Sequence, residues 1–284
     1  MAGIYWLASY PKSGNTWFRA FIKNLQDNGD APVDINDLST GAIASARGWI
    51  DEILGFDAAD LYHDEVDNLR PDVYRWALNE NEIGYHKIHD AYTFTRRGEP
   101  LVSQEATLGA LYIIRNPLDV AISNANHNGT TVDKAIEIMG KFDAKMCGSR
   151  KSLPDQTRQT LLSWSEHVLS WVDAPYLNCH VIRYEDMLAN PLPTFGGAAR
   201  FLQLPDEPSR LEKAIRFSDF KTLSKQESEA GFREKPRHAK NFFMQGKSGG
   251  WREKLTLEQI NRIVVDHNKV MQRFGYLDVN GQPA

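Results

Sequence analysis

An apolar run that leads through a glycine-bearing turn into an amphipathic helix is the feature that most restricts the fold of this chain. Residues 4–9 predict a buried strand, and residues 16–26 predict a helix with its apolar side chains on one face. The turn between them directs several backbone N–H groups to one place, beside the positive end of the helix. This arrangement predicts an α/β fold with a phosphate-binding turn after its first strand.

The side chains of the turn support an anion site. Lys12 adds a full positive charge, and further donors come from Ser13, Asn15 and Thr16. The common nucleoside-triphosphate loop places its lysine directly after a glycine, whereas Lys12 precedes Gly14 here. An ordinary strand-to-helix turn with a capping serine is the alternative interpretation.

The rest of the chain alternates strand and helix patterns, which favours a central, mostly parallel sheet flanked by helices. Strands are predicted at residues 85–89, 110–115 and 178–183, and apolar residues between 161 and 171 mark a buried helix. The last helix is predicted to begin at Thr256 and to direct inward Leu257, Ile260, Val264, His267 and Met271.

No linker divides two cores, so residues 1–284 predict a single domain. Residues 28–80 and 219–250 look irregular and predict lid loops. Residues 221–252 carry a net charge of +5, which leaves −9 on the remainder. That segment predicts a lid that closes over a small polyanion, with a solvated loop as the alternative. Because the chain as a whole is acidic, a nucleic-acid partner is not expected.

Composition excludes several other classes of protein. An aromatic content of 11% and a net charge of −4 exclude a mainly disordered chain. No apolar run approaches the roughly 18 residues of a transmembrane helix, and the run at residues 4–8 is too short for a secretory signal. Two cysteines, Cys147 and Cys179, cannot build a disulfide framework. A cytoplasmic protein without membrane insertion is therefore predicted.

A second polar motif follows the clearest buried strand. Arg115 ends that strand, Asn116 can cap the next helix, and Pro117 suits the first turn of that helix. Carboxyl ends of strands are where α/β sheets bind ligands. The Arg115 guanidinium and the Ser123 hydroxyl, two turns along the helix, suit a terminal phosphate. A salt bridge from Arg115 to Asp119 or to a neighbouring acid is the alternative.

Four segments together resemble the PAPS-dependent sulfotransferase family, which transfers a sulfuryl group from 3′-phosphoadenosine 5′-phosphosulfate (PAPS). The segments are residues 10–17, 112–123, 181–187 and 242–251. The first reads Tyr-Pro-Lys-Ser-Gly-Asn-Thr-Trp and departs from the family pattern only at Asn15. The resemblance implies a single P-loop-like domain, with 28–80 as an acceptor-side cap and 219–250 as a cofactor-side lid.

The resemblance also implies roles for individual residues. Lys12 neutralises charge on the bridging oxygen and leaving phosphate, Trp17 stacks on the adenine, and Arg115 with Ser123 holds the 3′-phosphate. The family's basic pair is replaced by Met244 and Gln245; Lys247, or Arg237 and Lys240, are the candidates to restore that charge. The implied cofactor-binding residues are Lys12, Ser13, Gly14, Asn15, Thr16, Trp17, Arg115, Ser123, Tyr184, Ser218, Phe220, Gln245, Gly246 and Lys247.

Residues 84–90, Gly-Tyr-His-Lys-Ile-His-Asp, contain the candidates for the acceptor side. On a strand, Lys87 and His89 share one face and His86 lies on the other. The family places a Lys-x-His segment here, which implies His89 as catalytic base and Lys87 as a residue that positions charge. A histidine titrates near neutral pH and suits this role, although His86 is easily confused with His89.

The resulting prediction is a sulfotransferase that moves a sulfuryl group from PAPS to a hydroxyl or amine of a small-molecule acceptor, leaving adenosine 3′,5′-bisphosphate (PAP). The transfer needs no metal if lysine and backbone donors supply the positive charge. An ATP-dependent small-molecule kinase and a non-catalytic nucleotide-binding regulator are the alternatives. A homodimer is possible, since the family's C-terminal dimer segment is partly kept at residues 252–261.

Overall fold

A computed structural model describes residues 2–78, 82–149, 151–236, 239–244 and 246–284. It confirms the predicted α/β class, with a central parallel sheet flanked by helices and strands in the order β2-β1-β3-β6. β1 and β2 pair in parallel, with Gly3 opposite Ile83 and Ala8 opposite Ile88. The strands are β1 Gly3–Ser9, β2 Ile83–Ile88, β3 Thr107–Ile114, β4 Lys145–Met146, β5 Gln159–Thr160 and β6 Cys179–Arg183.

Helices occupy most of the chain between these strands. The first six are α1 Asn15–Asp27, α2 Arg47–Leu54, α3 His63–Trp76, α4 Pro117–Asn128, α5 Val132–Met139 and α6 Trp164–Val172. The others are α7 Tyr184–Ala189, α8 Pro191–Phe201, α9 Pro208–Phe217, α10 Phe220–Ala230, α11 Trp251–Lys254 and α12 Leu257–Arg273. None of the described helices has both the length and the apolar character needed to cross a membrane.

The chain forms two compact units. The first contains Met1–Tyr10, Gly41–Tyr112 and Lys141–His180, and the second contains Pro11–Thr40, Ile113–Gly140 and Val181–Ala284. In the first unit every residue of β1 is buried, because this strand pairs inside the sheet. The predicted buried helix is α6, whose Trp164, Val168 and Trp171 are fully enclosed. A single functional domain over the whole chain stays a prediction.

In the second unit, α1 packs its aromatic face on α8. The Phe18 and Phe21 rings lie 5.8 and 4.3 Å from the Phe195 ring, as expected for a buried helix face. The inward face of α12 is partly as predicted, since His267 and Met271 are buried. Leu257 was wrongly assigned to that face: it is the first residue of α12 and 79% of it is exposed.

The two segments expected to be irregular both contain helices. Residues 28–80 include α2, α3 and a short 3₁₀ turn at Ala58–Asp60, and residues 219–250 include α10. Pro71 lies inside α3 and interrupts its helical pattern, which explains why the sequence did not predict a helix there. Asp219 precedes α10 and caps it, because its carboxylate accepts from the Thr222 N–H. The assignments of these segments as cap and lid stay predictions.

Candidate active site

The turn after β1 has the backbone of an anion-binding loop. Lys12 and Gly14 adopt left-handed conformations, with φ of 70° and 103°, and Gly14 caps α1. A side chain at Gly14 would place its Cβ only 2.7 Å from the Tyr184 ring. Glycine is therefore required both by the backbone conformation and by the aromatic residue that closes over it.

Three polar atoms around this turn are buried and have no hydrogen-bond partner among the described residues. They are Ser13 Oγ, Trp17 Nε1 and Arg115 Nε. A buried donor that stays unpaired costs about 1–3 kcal/mol, so such atoms rarely accumulate in one place without a partner. Asn15 and Thr16 are also buried, in the first turn of α1. The loop therefore fits a ligand rich in acceptor oxygens, such as a phosphate.

Arg115 joins the turn at residues 10–17, the phosphate loop, to the loop at residues 246–250, the glycine-rich loop. Its Nη1 donates to the Lys12 carbonyl at 3.0 Å, and its Nη2 donates to the Lys247 carbonyl at 3.4 Å. Its guanidinium also lies 4.3 Å from the centre of the Tyr184 ring. Because these bonds go to neutral carbonyls, the positive charge of Arg115 is still available to an anion.

The alternative partner for Arg115, Asp119, is engaged elsewhere. Both Asp119 oxygens accept backbone N–H groups, from Gly249 at 2.7 Å and from Trp251 at 3.0 Å. Asp119 thus anchors the glycine-rich loop to the start of α4. Asn116 caps α4 as the sequence predicts, because its Oδ1 accepts from the Leu118 N–H at 3.0 Å.

Aromatic rings line the next part of the site. The Trp17 ring meets Tyr184 at 5.6 Å and Phe195 at 5.5 Å, both edge-on. Trp17 is half-buried, which leaves part of its surface for a ligand. Ser123 lies on α4 and is also half-buried. Flat aromatic faces of this kind suit a nucleobase.

The residues proposed around the adenine edge and the glycine-rich loop differ in accessibility. Gly246 has φ +56°, and a Cβ there would lie 2.3 Å from the Phe220 ring, so these two residues pack directly together. Ser218 is fully buried, and its hydroxyl donates to the Ala214 carbonyl at 2.8 Å within α9. That bond argues against Ser218 as a ligand donor. Lys247 is exposed, and Gln245, like Arg237, lies outside the described residues.

Sequence reasoning missed two residues that contact Lys12. The Lys12 ammonium lies 3.3 Å from His127 Nδ1 and 3.9 Å from the centre of the Phe242 ring. His127 follows Ser123 by one helical turn, so the two share a face of α4. The spacing of Ser123 and His127 could have indicated that His127 belongs to the site. No local pattern indicates the position of Phe242, because it depends on how its loop folds.

In the first unit, His89 follows the last residue of β2. Its Nδ1 lies 2.8 Å from the Ser9 carbonyl oxygen and 3.3 Å from Ser9 Oγ. A carbonyl only accepts, so Nδ1 carries the proton and donates to it. In the neutral ring Nε2 then holds the lone pair, which is the state that a general base requires.

The backbone at His89 is fixed by a second buried histidine. His167 Nε2 donates to the His89 carbonyl at 3.0 Å, and the Tyr112 hydroxyl donates to His167 Nδ1 at 2.8 Å. Burial lowers the pKa of His167 to about 4, so the ring stays neutral and keeps this pair of bonds at neutral pH.

His86 and Lys87 occupy alternate positions on β2, as the strand pattern predicts. His86 is buried against the rings of Trp6 and Trp49, at 5.9 and 5.3 Å, and Lys87 is half-buried. Burial lowers the pKa of His86 to about 4. His86 is therefore a core residue rather than a base, while Lys87 and His89 share the more accessible face.

Asp90, next to His89, is held by a buried arginine that no sequence pattern indicated. Arg70 on α3 donates to both Asp90 oxygens, at 3.1 and 2.7 Å, and to the Tyr74 hydroxyl at 2.8 Å. The Trp171 indole donates to the Asp90 carbonyl at 2.9 Å. The strand end that carries His89 is therefore rigidly placed.

Comparison with known proteins identifies this set of motifs. The sequence matches the sulfotransferase domain over residues 4–275, nearly the whole chain. The chain belongs to the sulfotransferase domain family. The resemblance drawn from the four segments is confirmed, and the protein is an enzyme, as predicted. In the described parts of the chain no group of three or more His, Cys, Asp or Glu side chains is placed to hold a metal ion.

Curated relatives come from animals and plants. Sulfotransferase 2A6 of Rattus norvegicus is 26% identical over 89% of this chain and 79% of its own. Flavonol 3-sulfotransferase of Flaveria bidentis is 24% identical over 90% of this chain and 78% of its own. Cytosolic sulfotransferase 17 of Arabidopsis thaliana is 25% identical over 91% of this chain and 71% of its own.

Solved structures share the fold at low identity. Retinol dehydratase in complex with retinol and PAP has a TM-score of 0.61 and 16% identity, covering 95% of this chain and 81% of that one. Mouse sulfotransferase SULT7A1 complexed with PAP has a TM-score of 0.59 and 19% identity, covering 95% of this chain and 85% of that one. The predicted P-loop-like fold is thereby confirmed.

Proposed function

We propose that this sulfotransferase uses PAPS as donor and transfers the sulfuryl group to a hydroxyl or amine of a small molecule. The observation that carries the proposal is the group of buried, unpaired atoms at Ser13, Trp17 and Arg115 around a loop that presents Lys12. PAP in the solved structures of retinol dehydratase and mouse SULT7A1 supports the same nucleotide. The similarity to cytosolic sulfotransferase 17 of Arabidopsis thaliana supports a cytoplasmic location.

In the proposed reaction, an oxygen or nitrogen of the acceptor forms a bond to sulfur while the bond between sulfur and the bridging oxygen breaks. The electron pair of the broken bond stays on the 5′-phosphate of PAP, where Lys12 and the N–H groups of the loop neutralise it. The acceptor proton passes to Nε2 of His89, whose other nitrogen donates to Ser9. Lys87 is proposed to position charge beside the base. No step calls for a metal.

The 3′-phosphate distinguishes PAP from other adenine nucleotides, and Arg115 with Ser123 is proposed to hold it. PAP should therefore bind much more tightly than AMP or ADP when affinities are measured by calorimetry. Arg115→Ala should remove most of the preference for PAP over AMP, by about 1.5–3 kcal/mol, the range for charge-assisted hydrogen bonds.

Comparing PAP with AMP separates this loss from any disturbance of the loop, since both nucleotides share the 5′-phosphate. Equal affinity of the wild type for PAP and ADP would reject the donor assignment. If PAP binds but no sulfate reaches any of a panel of phenols, alcohols and amines, the protein would be a nucleotide-binding regulator instead.

A glycine variant tests the role of the glycine-rich loop. Gly246→Ala adds a Cβ at φ +56° that would meet the Phe220 ring at 2.3 Å, so the loop or the ring must move. We expect PAP affinity to fall about 10-fold, in line with roughly 1–3 kcal/mol for a side chain forced into a packed site. Gly55→Ala is the control for the backbone conformation alone, because Gly55 has φ +74° but open space around it. Equal losses in both variants would refute a role for the Phe220 contact.

A further inference from the structure

The peptide group that follows Arg115 is held by a carboxylate. The N–H of Asn116 donates to Glu185 Oε1 at 3.0 Å, and the Tyr276 hydroxyl donates to Glu185 Oε2 at 2.9 Å. Asn116 is only 5% exposed, so water has little access to this N–H. Both oxygens of Glu185 thus accept from neutral groups, and Glu185 holds the backbone from which the Arg115 side chain extends.

The other end of the Arg115 side chain is held by the residue before Glu185. The Arg115 guanidinium lies 4.3 Å from the centre of the Tyr184 ring. Its two terminal nitrogens donate to the carbonyls of Lys12 and Lys247. Two consecutive residues at the start of α7 therefore fix both ends of this side chain, Tyr184 at the guanidinium and Glu185 at the backbone.

Tyr276 brings the end of the chain into this arrangement. It follows α12 and is 1% exposed, and the Arg183 guanidinium lies 4.7 Å from the centre of its ring. The matched sulfotransferase domain ends at residue 275, so Tyr276 lies just outside it. Its hydroxyl therefore connects the segment after α12 to Glu185 and, through Glu185, to the backbone at Arg115.

We propose that Glu185 and Tyr276 are positioning residues that fix Arg115 for recognition of the 3′-phosphate. An arginine side chain has many rotamers, and fixing them when a ligand binds weakens affinity. Because Glu185 fixes the backbone and Tyr184 the guanidinium, much of that cost is met during folding. A small displacement of the backbone would carry the guanidinium away from a phosphate whose place is set elsewhere on the nucleotide.

The inference rests on the proposed role of Arg115, and its readout is the preference for PAP over AMP in calorimetry. These nucleotides differ only in the 3′-phosphate, so a general disturbance of the fold weakens both alike. Glu185→Met keeps the length of the side chain but leaves the buried Asn116 N–H without an acceptor, and should lower the preference about 3- to 10-fold. Glu185→Gln keeps an oxygen for that N–H and should retain the wild-type preference. Equal losses in both variants would overturn the proposal.

A milder variant tests Tyr276 and keeps the proposal testable if Glu185→Met does not fold. Tyr276→Phe retains the ring beside Arg183 but removes the hydroxyl, and should lower the preference about 2- to 3-fold. Asp186→Leu is the control, because this carboxylate lies in the same turn of α7, is 43% exposed and lies 3.7 Å from Arg183. It should keep the wild-type preference. An unchanged preference in Tyr276→Phe would overturn the role of Tyr276, and a loss in Asp186→Leu as large as that in Glu185→Met would overturn the role of Glu185.

A double-mutant cycle with Arg115→Ala decides whether the effect acts through Arg115. In that background Glu185→Met should lower the preference for PAP no further, and a further loss of the same size would overturn the inference. If Arg115→Ala alone leaves the preference unchanged, the proposed role of Arg115 is wrong. If Arg115→Ala removes the preference and Glu185→Met does not lower it, the proposed role of Arg115 stands and this inference fails.

Discussion

His89→Ala should lose sulfuryl transfer by about 100- to 10,000-fold, the usual contribution of a general base, while the affinity for PAP barely changes. The reason is the state of the ring. Its Nδ1 donates to the Ser9 carbonyl at 2.8 Å, so Nε2 is the nitrogen that can accept the acceptor proton. The residues proposed to bind the nucleotide lie in the phosphate loop, which this change leaves in place.

The measurement is transfer of labelled sulfate from PAPS to an acceptor found in a panel of phenols, alcohols and amines, with PAP calorimetry in parallel. His86→Leu is the control, because His86 is packed among aromatic rings and burial lowers its pKa to about 4. It should keep most of the activity. An active His89→Ala variant together with an inactive but folded His86→Leu variant would show that the base is wrongly assigned.

The elements that sequence predicted well are those whose structure depends on residues close together in the chain. The turn at residues 10–17 needs a glycine for its backbone, a lysine for its charge and a helix directly after it, and each requirement is visible over a few residues. The cap of α4 is equally local, since Asn116 bonds the N–H of Leu118 two positions away. Both were predictable because the interacting groups are neighbours in the chain.

The contacts that sequence could not predict join residues far apart in the chain. Lys12 meets Phe242, and Arg115 meets the carbonyl of Lys247, only because the loops after β1 and β3 and the glycine-rich loop come together in the second unit. Nothing near Phe242 distinguishes it from Phe243, which also donates its backbone N–H to Glu227 but is not the ring placed over Lys12. Leu257 is a different kind of error. Its apolar side chain fits the helical pattern, which predicted that it is buried, but it is exposed at the start of α12.

The salt bridge between Arg70 and Asp90 is another such contact, and breaking it should have the largest effect on stability. Both side chains are almost fully buried, at 0% and 2% exposure. Arg70→Met would leave the Asp90 carboxylate without its partner, which costs about 3–5 kcal/mol for a buried pair. The midpoint of urea unfolding should fall accordingly, with little change in slope, since the fold itself is retained.

The matched control is Arg75→Met on the same helix. Arg75 pairs with Asp72, but these side chains are 28% and 22% exposed, so water screens the pair and its loss should cost at most about 1 kcal/mol. The double variant Arg70→Met/Asp90→Leu should recover much of the loss, because apolar residues of similar size replace a buried pair well. If the double variant is less stable than Arg70→Met alone, the two residues do not act as a pair. Asp90 would then stabilise the strand end through its bond to the Thr160 N–H at 3.2 Å rather than through Arg70.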